Sequence, residues 1–490
     1  MYHPPSKRKQ LIQRLVVYGL MSLSVLVLVT VLVFVMLGYQ FNGNDGKIEQ
    51  GGLVQFSSTP SGASVGIDSK YLGTQTSART TMTAGSHFIT MNKTGYRQWQ
   101  KSVAIVPGSV LWLNYTRLIP TTLKPATVAT YGALSDTNVS FDHKWLAVKE
   151  DPATPVIQME DISGMTTKAS TLELPAASYT APSEGHTQSF AIAQWDPSSR
   201  YLLVKHTYDD TKTEWLVVDI QHVADAKNVT TLLGFDASNV IFSNTNSNVL
   251  YGLVGRDLRK IDLGSVTLSG PLVTNVAEFS LYQNSTIIYT TLLDPTTHAR
   301  TVGYYSDSAD KARTVRSYAD DGQVPLHLAL GNYYRNTYVG IAYGDEVEVL
   351  TGDLPRSDAS DVSTLHAVTT MTVPGGVLDL SIITNGRFVV AQTASGYVVY
   401  DLELKKTTTT ALKGPAVTTE KLHWLDGYMA WSDRDGTLRT TEFDGANQQD
   451  IMPVTPGFSA ALSPDGTYLY GFAKTTDGKF DLQRVRMMLP

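Results

Sequence analysis

The sequence offers few residue patterns that could do chemistry. Gly62-Ala63-Ser64-Val65-Gly66 satisfies the G-x-S-x-G pattern of hydrolase nucleophile elbows, where a sharp turn from a strand into a helix exposes the serine. Here the five residues follow a turn and run along a strand, with no helical pattern after them. The chain also contains no cysteine, which excludes disulfides, thiolate metal sites and a cysteine nucleophile. We therefore interpret Ser64 as a strand residue and predict no catalytic residue.

Metal-binding patterns are equally weak. The ten histidines never occur at a spacing such as H-E-x-x-H. His206 with Asp209 and Asp210 is the closest polar cluster, and a solvated hairpin tip is its preferred interpretation over a metal site. Asp433-Arg434-Asp435-Gly436 resembles part of a calcium loop but lacks the closing glutamate, and its D-G pair favours a hairpin turn. We predict no metal, no cofactor and no enzymatic activity.

Aromatic residues supply the one candidate binding site. Tyr333, Tyr334 and Tyr338 with Arg335 form the most exposed-looking aromatic group, and we predict ligand binding there. Tryptophans inside predicted strands favour packing between structural repeats, with a stacking platform for sugar or peptide as the alternative. These tryptophans are Trp145, Trp195, Trp215, Trp424 and Trp431.

Composition and charge define the class of protein. The 490 residues carry 39 basic and 45 acidic side chains, a net charge of −6. Residues 1–37 hold four basic and no acidic residues, so the remaining 35 basic and 45 acidic side chains give −10. Nucleic acids attract clustered positive charge, so we predict no nucleic-acid partner. Abundant Thr, Val, Tyr and Gly, with only 17% charged residues, predict a mainly β protein.

An apolar segment near the N-terminus predicts a membrane anchor. Residues 15–37 carry no charge, and a helix of that length, about 35 Å, crosses a bilayer core of about 30 Å. The four basic residues precede it, so the positive-inside rule places residues 1–14 in the cytoplasm and everything after Leu37 outside. A cleaved signal peptide is the alternative, but the end of the run lacks a small-x-small site. We predict an uncleaved single-pass anchor in the cell membrane.

Beyond the anchor, a glycine-rich stretch, residues 38–52, predicts a flexible spacer before a run of short strands. Ser58-Thr59-Pro60-Ser61-Gly62-Ala63 begins this run, and Leu72-Gly73-Thr74, Ala84-Gly85-Ser86-His87 and Lys93-Thr94-Gly95-Tyr96 follow. Residues 53–119 resemble the PEGA domain in these motifs, although a serine replaces the glutamate of the name motif. The resemblance implies a small surface β-sandwich and says little about activity.

A repeat occupies residues 120–490. Each unit contains a turn followed by two bulky residues, as in Trp195-Asp196-Pro197-Ser198-Ser199-Arg200-Tyr201-Leu202 and Leu462-Ser463-Pro464-Asp465-Gly466-Thr467-Tyr468-Leu469. Other copies begin at Phe141, Phe242, Tyr282, Tyr333, Thr384 and Leu425. Many units later end a strand in aspartate, an expected Asx-turn former. The mean period near 46 residues is typical of β-propeller blades, and the repeat resembles TolB-type and WD-repeat propellers. Eight units predict eight blades, or seven if one weak copy is a loop.

Closure of the propeller follows from its last unit. This unit supplies only three strands, and residues 126–131 could add the fourth. Such a clasp would remove two exposed strand edges.

Together these features predict a membrane-anchored, extracytoplasmic binding or scaffolding protein that presents a propeller at the cell surface. Its expected partner is an envelope protein or glycan, bound through propeller loops. One alternative is an enzyme processing glycan or peptide at the channel mouth, which would need paired carboxylates or a histidine cluster there. A purely structural surface element is the other.

Overall fold

The computed structural model describes residues 7–42, 46–283, 286–307, 311–320, 322–354 and 364–490. Residues 1–6 of the predicted cytoplasmic tail and residues 43–45 of the predicted spacer therefore lie outside the described residues. The chain divides into two compact units, the first ending at Thr122 and the second comprising Leu123–Leu489. The class is mainly β with one long N-terminal helix, as predicted.

The long helix α1, Lys7–Met36, contains most of the predicted anchor and begins eight residues before it. Within Arg8–Met36 the most apolar 18 residues have a mean hydropathy of 2.7, and none of them is buried in the rest of the protein. A helix satisfies its own backbone hydrogen bonds, which allows these β-branched residues to be helical in lipid. Two strands follow inside the predicted spacer and pair antiparallel, namely β1, Tyr39–Asn42, and β2, Lys47–Gln50. This hairpin was not predicted, because the glycines of residues 38–52 favoured a flexible spacer and each strand has only four residues.

Seven strands form the β-sandwich of the first unit. They are β3, Gly52–Thr59; β4, Ser64–Ile67; β5, Lys70–Gln75; β6, Ala78–Met82; β7, Gly85–Asn92; β8, Trp99–Ile105; and β9, Val110–Arg117. One sheet has the order β6-β3-β9 and the other β5-β4-β7-β8. Alternate residues such as Val54, Phe56, Val65 and Ile89 point into the core between them and are fully buried. Pairing β3 parallel to β9 brings the first and last strands together.

The second unit is built from four-stranded antiparallel sheets in chain order, preceded by β10, Ala126–Tyr131. Sheet 1 contains β11, Asp136–Val139; β12, Trp145–Lys149; β13, Val156–Asp161; and β14, Lys168–Glu173. Sheet 2 contains β15, Gln188–Trp195; β16, Tyr201–Tyr208; β17, Lys212–Asp219; and β18, Lys227–Asn228. Helix α2, Val229–Leu233, follows, and short 3₁₀ turns lie at Ala176–Ser178 and Val223–Asp225. Sheet 3 contains β19, Ala237–Phe242; β20, Val249–Val254; β21, Asp257–Asp262; and β22, Thr267–Leu268.

The later sheets repeat this arrangement. Sheet 4 contains β23, Val276–Tyr282; β24, Thr286–Thr291; β25, Ala299–Ser306; and β26, Lys311–Ala319. Sheet 5 contains β27, Leu326–Tyr333; β28, Asn336–Tyr343; β29, Glu346–Gly352; and β30, Leu365–Thr372. Sheet 6 contains β31, Asp379–Ile382; β32, Phe388–Thr393; β33, Gly396–Asp401; and β34, Lys406–Ala411. Sheet 7 contains β35, His423–Trp424; β36, Met429–Ser432; β37, Thr437–Glu442; and β38, Gln449–Pro453.

Sheet 8 joins the two ends of the second unit. Its strands are β39, Ala461–Leu462; β40, Tyr468–Lys474; and β41, Phe480–Arg486, with β10 paired antiparallel to β41. Thr130 Oγ1 donates a 2.6 Å hydrogen bond to Asp481 across this pairing. The predicted clasp is therefore confirmed. The described strands of this unit form eight such sheets, one for each predicted repeat, which favours the predicted eight blades over seven.

The sheets pack face to face through buried side chains. First strands of neighbouring sheets contact one another, as in β11 with β15 and β27 with β31, so they lie innermost. Packing extends from sheet 8 to sheet 1, where Tyr131, Leu146, Val148 and Tyr470 share one buried cluster. This arrangement buries both faces of each sheet, which a single sheet could not do alone. It is the architecture of a β-propeller.

The repeat turns have the predicted role. Each lies between the first and second strand of its sheet, such as Asp196–Arg200 between β15 and β16. Strand-ending aspartates accept backbone hydrogen bonds two or three residues on, for example Asp262 from Gly264 and Ser265, and Asp401 from Glu403. The predicted Asx-turns are thus confirmed at these positions.

Candidate functional site

A polar cavity lies where the inner strands of sheets 4, 5 and 6 begin. It has a volume of about 330 Å³. Four charged residues converge on it, which are Glu278 of β23, His327 of β27, Asp379 of β31 and Lys421 just before β35. Other lining residues include Asn239, Ser280, Thr290 and Leu328. Because inner strands of a propeller surround its axis and supply most of this lining, we name this cavity the channel mouth.

His327 is the central group of the cavity. Its Nδ1 lies 3.2 Å from Oε2 of Glu278, and its Nε2 lies 3.2 Å from the carbonyl oxygen of Val377. A carbonyl and a carboxylate both accept hydrogen bonds, so these two contacts favour the imidazolium form, in which both ring nitrogens donate. Burial lowers the pKa of His327, but the hydrogen bond and the charge of Glu278 outweigh burial, and the net pKa is raised. Neither ring nitrogen is then free to act as a general base.

The carboxylates of the cavity are likewise paired. The hydrogen bond from His327 is the main cause that lowers the pKa of Glu278, so this carboxylate stays ionised. Nζ of Lys421 lies 2.7 Å from Oδ1 of Asp379, and the lysine side chain is otherwise exposed. Two cations and two anions therefore balance within one small cavity. Such a fixed set of dipoles and hydrogen-bonding groups suits the recognition of a polar ligand.

The aromatic group predicted from the sequence lies at the opposite end of β27. Tyr334 and Arg335 form the tight turn between β27 and β28, and both side chains are exposed. Tyr334 adopts a left-handed backbone, with φ of +53°, and its ring centroid is 4.5 Å from that of Tyr333. Tyr333 and Tyr338 are both half-buried and pack against the same core cluster between sheets 5 and 6. The structure therefore gives the four predicted residues two environments, with Tyr334 and Arg335 exposed at the turn and Tyr333 and Tyr338 packed beneath it.

Tyr333 is held by an ionic network from sheet 6. Its Oη donates a 2.8 Å hydrogen bond to Oε2 of Glu403, and the same oxygen lies 2.5 Å from Nη1 of Arg387. Arg387 is buried and also bonds Asp401 through Nε and Nη2. Burial, followed by the hydrogen bond to Glu403, raises the pKa of Tyr333. Tyr333 therefore anchors the turn, and Tyr334 and Arg335 are the residues free to contact a ligand.

The remaining chemical patterns have structural roles. Ser64 begins β4 and donates from Oγ to the carbonyl oxygen of Asn92, with a strand rather than a helix after it. Gly436 N donates to Asp433 O in the turn between β36 and β37, as a hairpin turn requires. The predicted packing role of the tryptophans is confirmed for three buried ones, Trp195, Trp215 and Trp431. Trp145 and Trp424 are half-buried.

The interpretation of His206 was wrong in one respect. Asp209 and Asp210 do form an exposed turn, and Asp210 bonds His186. His206 is instead fully buried, stacked 4.2 Å from the Phe190 ring and bonded through Nδ1 to Glu214 at 2.8 Å. The spacing of His206 from Asp209 and Asp210 could not show that its side chain points into the protein core. Within the described ranges, no group of three or more His, Asp or Glu side chains is placed to hold a metal ion.

The channel-mouth residues escaped the sequence analysis because they lie in four separate repeats. Glu278, His327, Asp379 and Lys421 are 42 to 52 residues apart, close to the repeat period. Polar residues recurring at equivalent positions of successive inner strands are the signal that could have found them.

Comparison with known proteins identifies the small sandwich. Residues 52–119 match the PEGA domain. This match confirms the predicted resemblance, with the PEGA domain covering the two sheets of the first unit. Among curated protein sequences, no match to the chain is found.

Solved structures resemble the remainder of the chain at low identity. An oligogalacturonate lyase in complex with manganese is 12% identical with a TM-score of 0.39, over 75% of this chain and 98% of that one. Dipeptidyl peptidase 4 of Porphyromonas gingivalis is 9% identical with a TM-score of 0.48, over 73% of this chain and 58% of that one. Sqt1 of Saccharomyces cerevisiae is 10% identical with a TM-score of 0.44, over 75% of this chain and 99% of that one. We infer neither activity nor ligand from these similarities.

Proposed function

We propose that the chain is a membrane-anchored, extracytoplasmic binding or scaffolding protein that presents its propeller at the cell surface. In this proposal residues 15–37 cross the cell membrane, the N-terminus is cytoplasmic, and both β units are outside. An envelope protein or glycan binds the propeller through its loops and channel mouth. The exposed apolar helix, the PEGA domain and the propeller all fit a surface protein of this kind.

The state of His327 is the observation that favours binding over catalysis. Both of its nitrogens face hydrogen-bond acceptors, and each carboxylate of the cavity is paired with His327 or Lys421. A general base needs a free lone pair within reach of the substrate proton. The cavity instead presents hydrogen-bond donors and acceptors in fixed positions. A polar ligand can therefore bind with little rearrangement of these side chains.

The Tyr333 turn supports a second contact for the same partner class. Tyr334 is 78% exposed, yet its neighbour Tyr333 is fixed by Glu403. An exposed aromatic on a rigid turn loses little conformational entropy on binding and buries a large area. We therefore propose Tyr334 and Arg335 as direct contacts, with Tyr333 and Tyr338 as positioning residues.

Membrane topology is tested by single cysteines, because the chain has none of its own. We expect a membrane-impermeant maleimide to label Lys413→Cys in intact cells and Lys9→Cys only after lysis. Lys413 is exposed on the propeller, and Lys9 precedes the apolar run. Labelling in the reverse order would contradict the proposed orientation.

Binding is tested with the full chain in nanodiscs, incubated with solubilised envelope material. We expect a retained component to be lost with Glu278→Gln and Lys421→Met, or with Tyr334→Ala and Arg335→Ala, according to the end that it contacts. Lys413→Met is the matched control, since this exposed lysine lies outside both sites. Retention no greater than that of empty nanodiscs would refute a binding role. Turnover of an envelope glycan or peptide that His327→Gln abolishes would establish the enzymatic alternative instead.

A further inference from the structure

The PEGA domain has a sheet face whose outward side chains are exposed. Side chains of β4 and β7 alternate, so Val65, Ile89 and Met91 enter the core while Phe88 and Thr90 face outwards. A groove of about 400 Å³ runs across this outer face. It is lined by Ser64, Gly66, Ser69, Lys70, Tyr71, Phe88, Thr90, Asn92 and Gln98.

The groove exists because Gly66 has no side chain. In the sheet Gly66 lies between Tyr71 of β5 and Thr90 of β7. A Cβ at this position would approach Oγ1 of Thr90 to 2.5 Å. The glycine therefore forms a low floor, and the taller side chains on either strand form the walls.

Two exposed aromatic residues form the apolar part of the walls. Tyr71 is 63% exposed and Phe88 41% exposed, although both are large and could pack in a core. Asp68 holds the backbone of Phe88, because its Oδ1 accepts a 2.8 Å hydrogen bond from Phe88 N and its Oδ2 lies 2.6 Å from Nδ1 of His87. Tyr71 is held by the pairing of β5 with β4, opposite Gly66. Asp68 and Ser69 form the left-handed turn that leads into β5. The aromatic side chains are thus presented on a rigid support.

The polar part of the walls is uncharged except at one position. Lys70 is the only charged residue among the nine that line the groove. Tyr71, Thr90, Asn92 and Gln98 carry hydroxyl or amide groups. Within the described part of the chain, none of these four side chains makes a hydrogen bond. They are free to donate to and accept from a ligand.

We propose that this groove binds a neutral, hydroxyl-rich glycan. Sugar rings present apolar C–H faces that pack on aromatic rings, and their hydroxyls both donate and accept hydrogen bonds. A groove with aromatic walls, amides and hydroxyls matches both features. With Lys70 as the one charged residue in its lining, the groove matches an uncharged ligand better than a charged peptide or a polyanion. The PEGA domain follows the apolar helix in the chain. If the proposed topology holds, this groove is therefore close to surface glycans.

The test uses the full chain in detergent micelles, titrated calorimetrically with cellohexaose, mannohexaose and chitohexaose. We expect at least one of these neutral hexasaccharides to bind, and Tyr71→Ala and Phe88→Ala each to weaken it about tenfold or more. Phe141→Ala is the matched control, because it removes a comparably exposed aromatic side chain, 58% exposed, from a part of the propeller outside every proposed binding site. Since Tyr71 and Phe88 are exposed, their variants should keep the wild-type unfolding midpoint.

Failure of all three neutral hexasaccharides to bind would overturn the proposal. Equal affinity for hexagalacturonic acid, unchanged by Tyr71→Ala, would also overturn it, because charge rather than aromatic stacking would then control binding. The assay does not depend on membrane orientation or on the channel mouth. A wrong topology would therefore leave glycan binding intact, and loss of glycan binding would leave the labelling result unchanged.

Discussion

The buried pair of His206 and Glu214 makes a specific prediction about acid stability. Glu214 is 1% exposed and accepts hydrogen bonds from His206, from Thr180 N and Oγ1, and from Asn228 Nδ2. Burial raises the pKa of Glu214, but these hydrogen bonds outweigh burial and hold it at about 2, well below the ordinary 4.5. The ionised carboxylate therefore stabilises the folded chain.

The sign and size of the effect on stability follow from the difference between the folded-state pKa of Glu214 and its ordinary value. A carboxyl with a lowered folded-state pKa contributes stability that is complete above about pH 4.5 and is lost as the pH falls towards 2. A decrease from 4.5 to about 2 corresponds to about 3 kcal/mol. We expect Glu214→Gln to lower the free energy of unfolding by about this amount at pH 7. Near pH 2 the variant and the wild type should be equally stable, because the wild-type carboxyl is then protonated too.

The measurement is urea unfolding of the full chain in nonionic micelles, followed by tryptophan fluorescence between pH 7 and pH 2.5. Trp215 adjoins Glu214 and is buried, so it reports on this region. Asp210→Asn is the matched control, because Asp210 also bonds a histidine, His186 at 2.7 Å, but both side chains are about half exposed. Water screens that pair, so its loss should barely change the unfolding midpoint. If the wild type and Glu214→Gln lose stability with the same slope below pH 4.5, the reasoning is wrong.

Three further predictions concern the propeller. Deleting residues 120–132 removes β10 and should abolish cooperative unfolding of the second unit. The milder change Leu482→Ala, in the fully buried core of sheet 8, should lower the free energy of unfolding by about 3 kcal/mol in the same urea assay. Gly386→Ala would place a Cβ 1.7 Å from Asn332 O at a φ of +74° and should lower the melting temperature sharply, while Gly185→Ala, with φ of +83° and open space around it, should lower it little. Arg387→Met leaves Asp401 buried without its cation and should cost about 3–5 kcal/mol, and a second change, Asp401→Leu, should recover much of the loss. An equally unstable double variant would contradict the last prediction.

Local patterns predicted much of this fold because they act within a few residues. An uncharged run of helix length, the Pro-Gly and Asp-Gly turns, and the recurring bulky pair each depend on neighbours in the chain. The clasp of residues 126–131 could also be predicted, since a last unit with three strands leaves an edge that must be covered. Strands β5 and β6 were not predicted, because they lie at sheet edges and lack apolar alternation, and β5 is largely exposed.

Sites assembled from distant repeats could not be predicted in the same way. Glu278 and Lys421 are 143 residues apart in the chain and meet only because sheets 4 to 7 surround one axis. His206 illustrates the complementary difficulty, since strand periodicity indicates two faces but not which face a neighbouring sheet covers. The turn at Tyr334 was within reach because turn residues and exposed aromatics leave a local pattern.

The geometry of β27 also limits how a partner can use the propeller. His327 lies near the beginning of this strand and Tyr333 at its end, six residues on. At about 3.3 Å per residue the two positions are about 20 Å apart. A ligand small enough for a cavity of about 330 Å³ therefore cannot reach Tyr334. A small polar ligand at the channel mouth and a larger partner at the Tyr334 turn can consequently bind at the same time, and any coupling between them must pass through the inner strands.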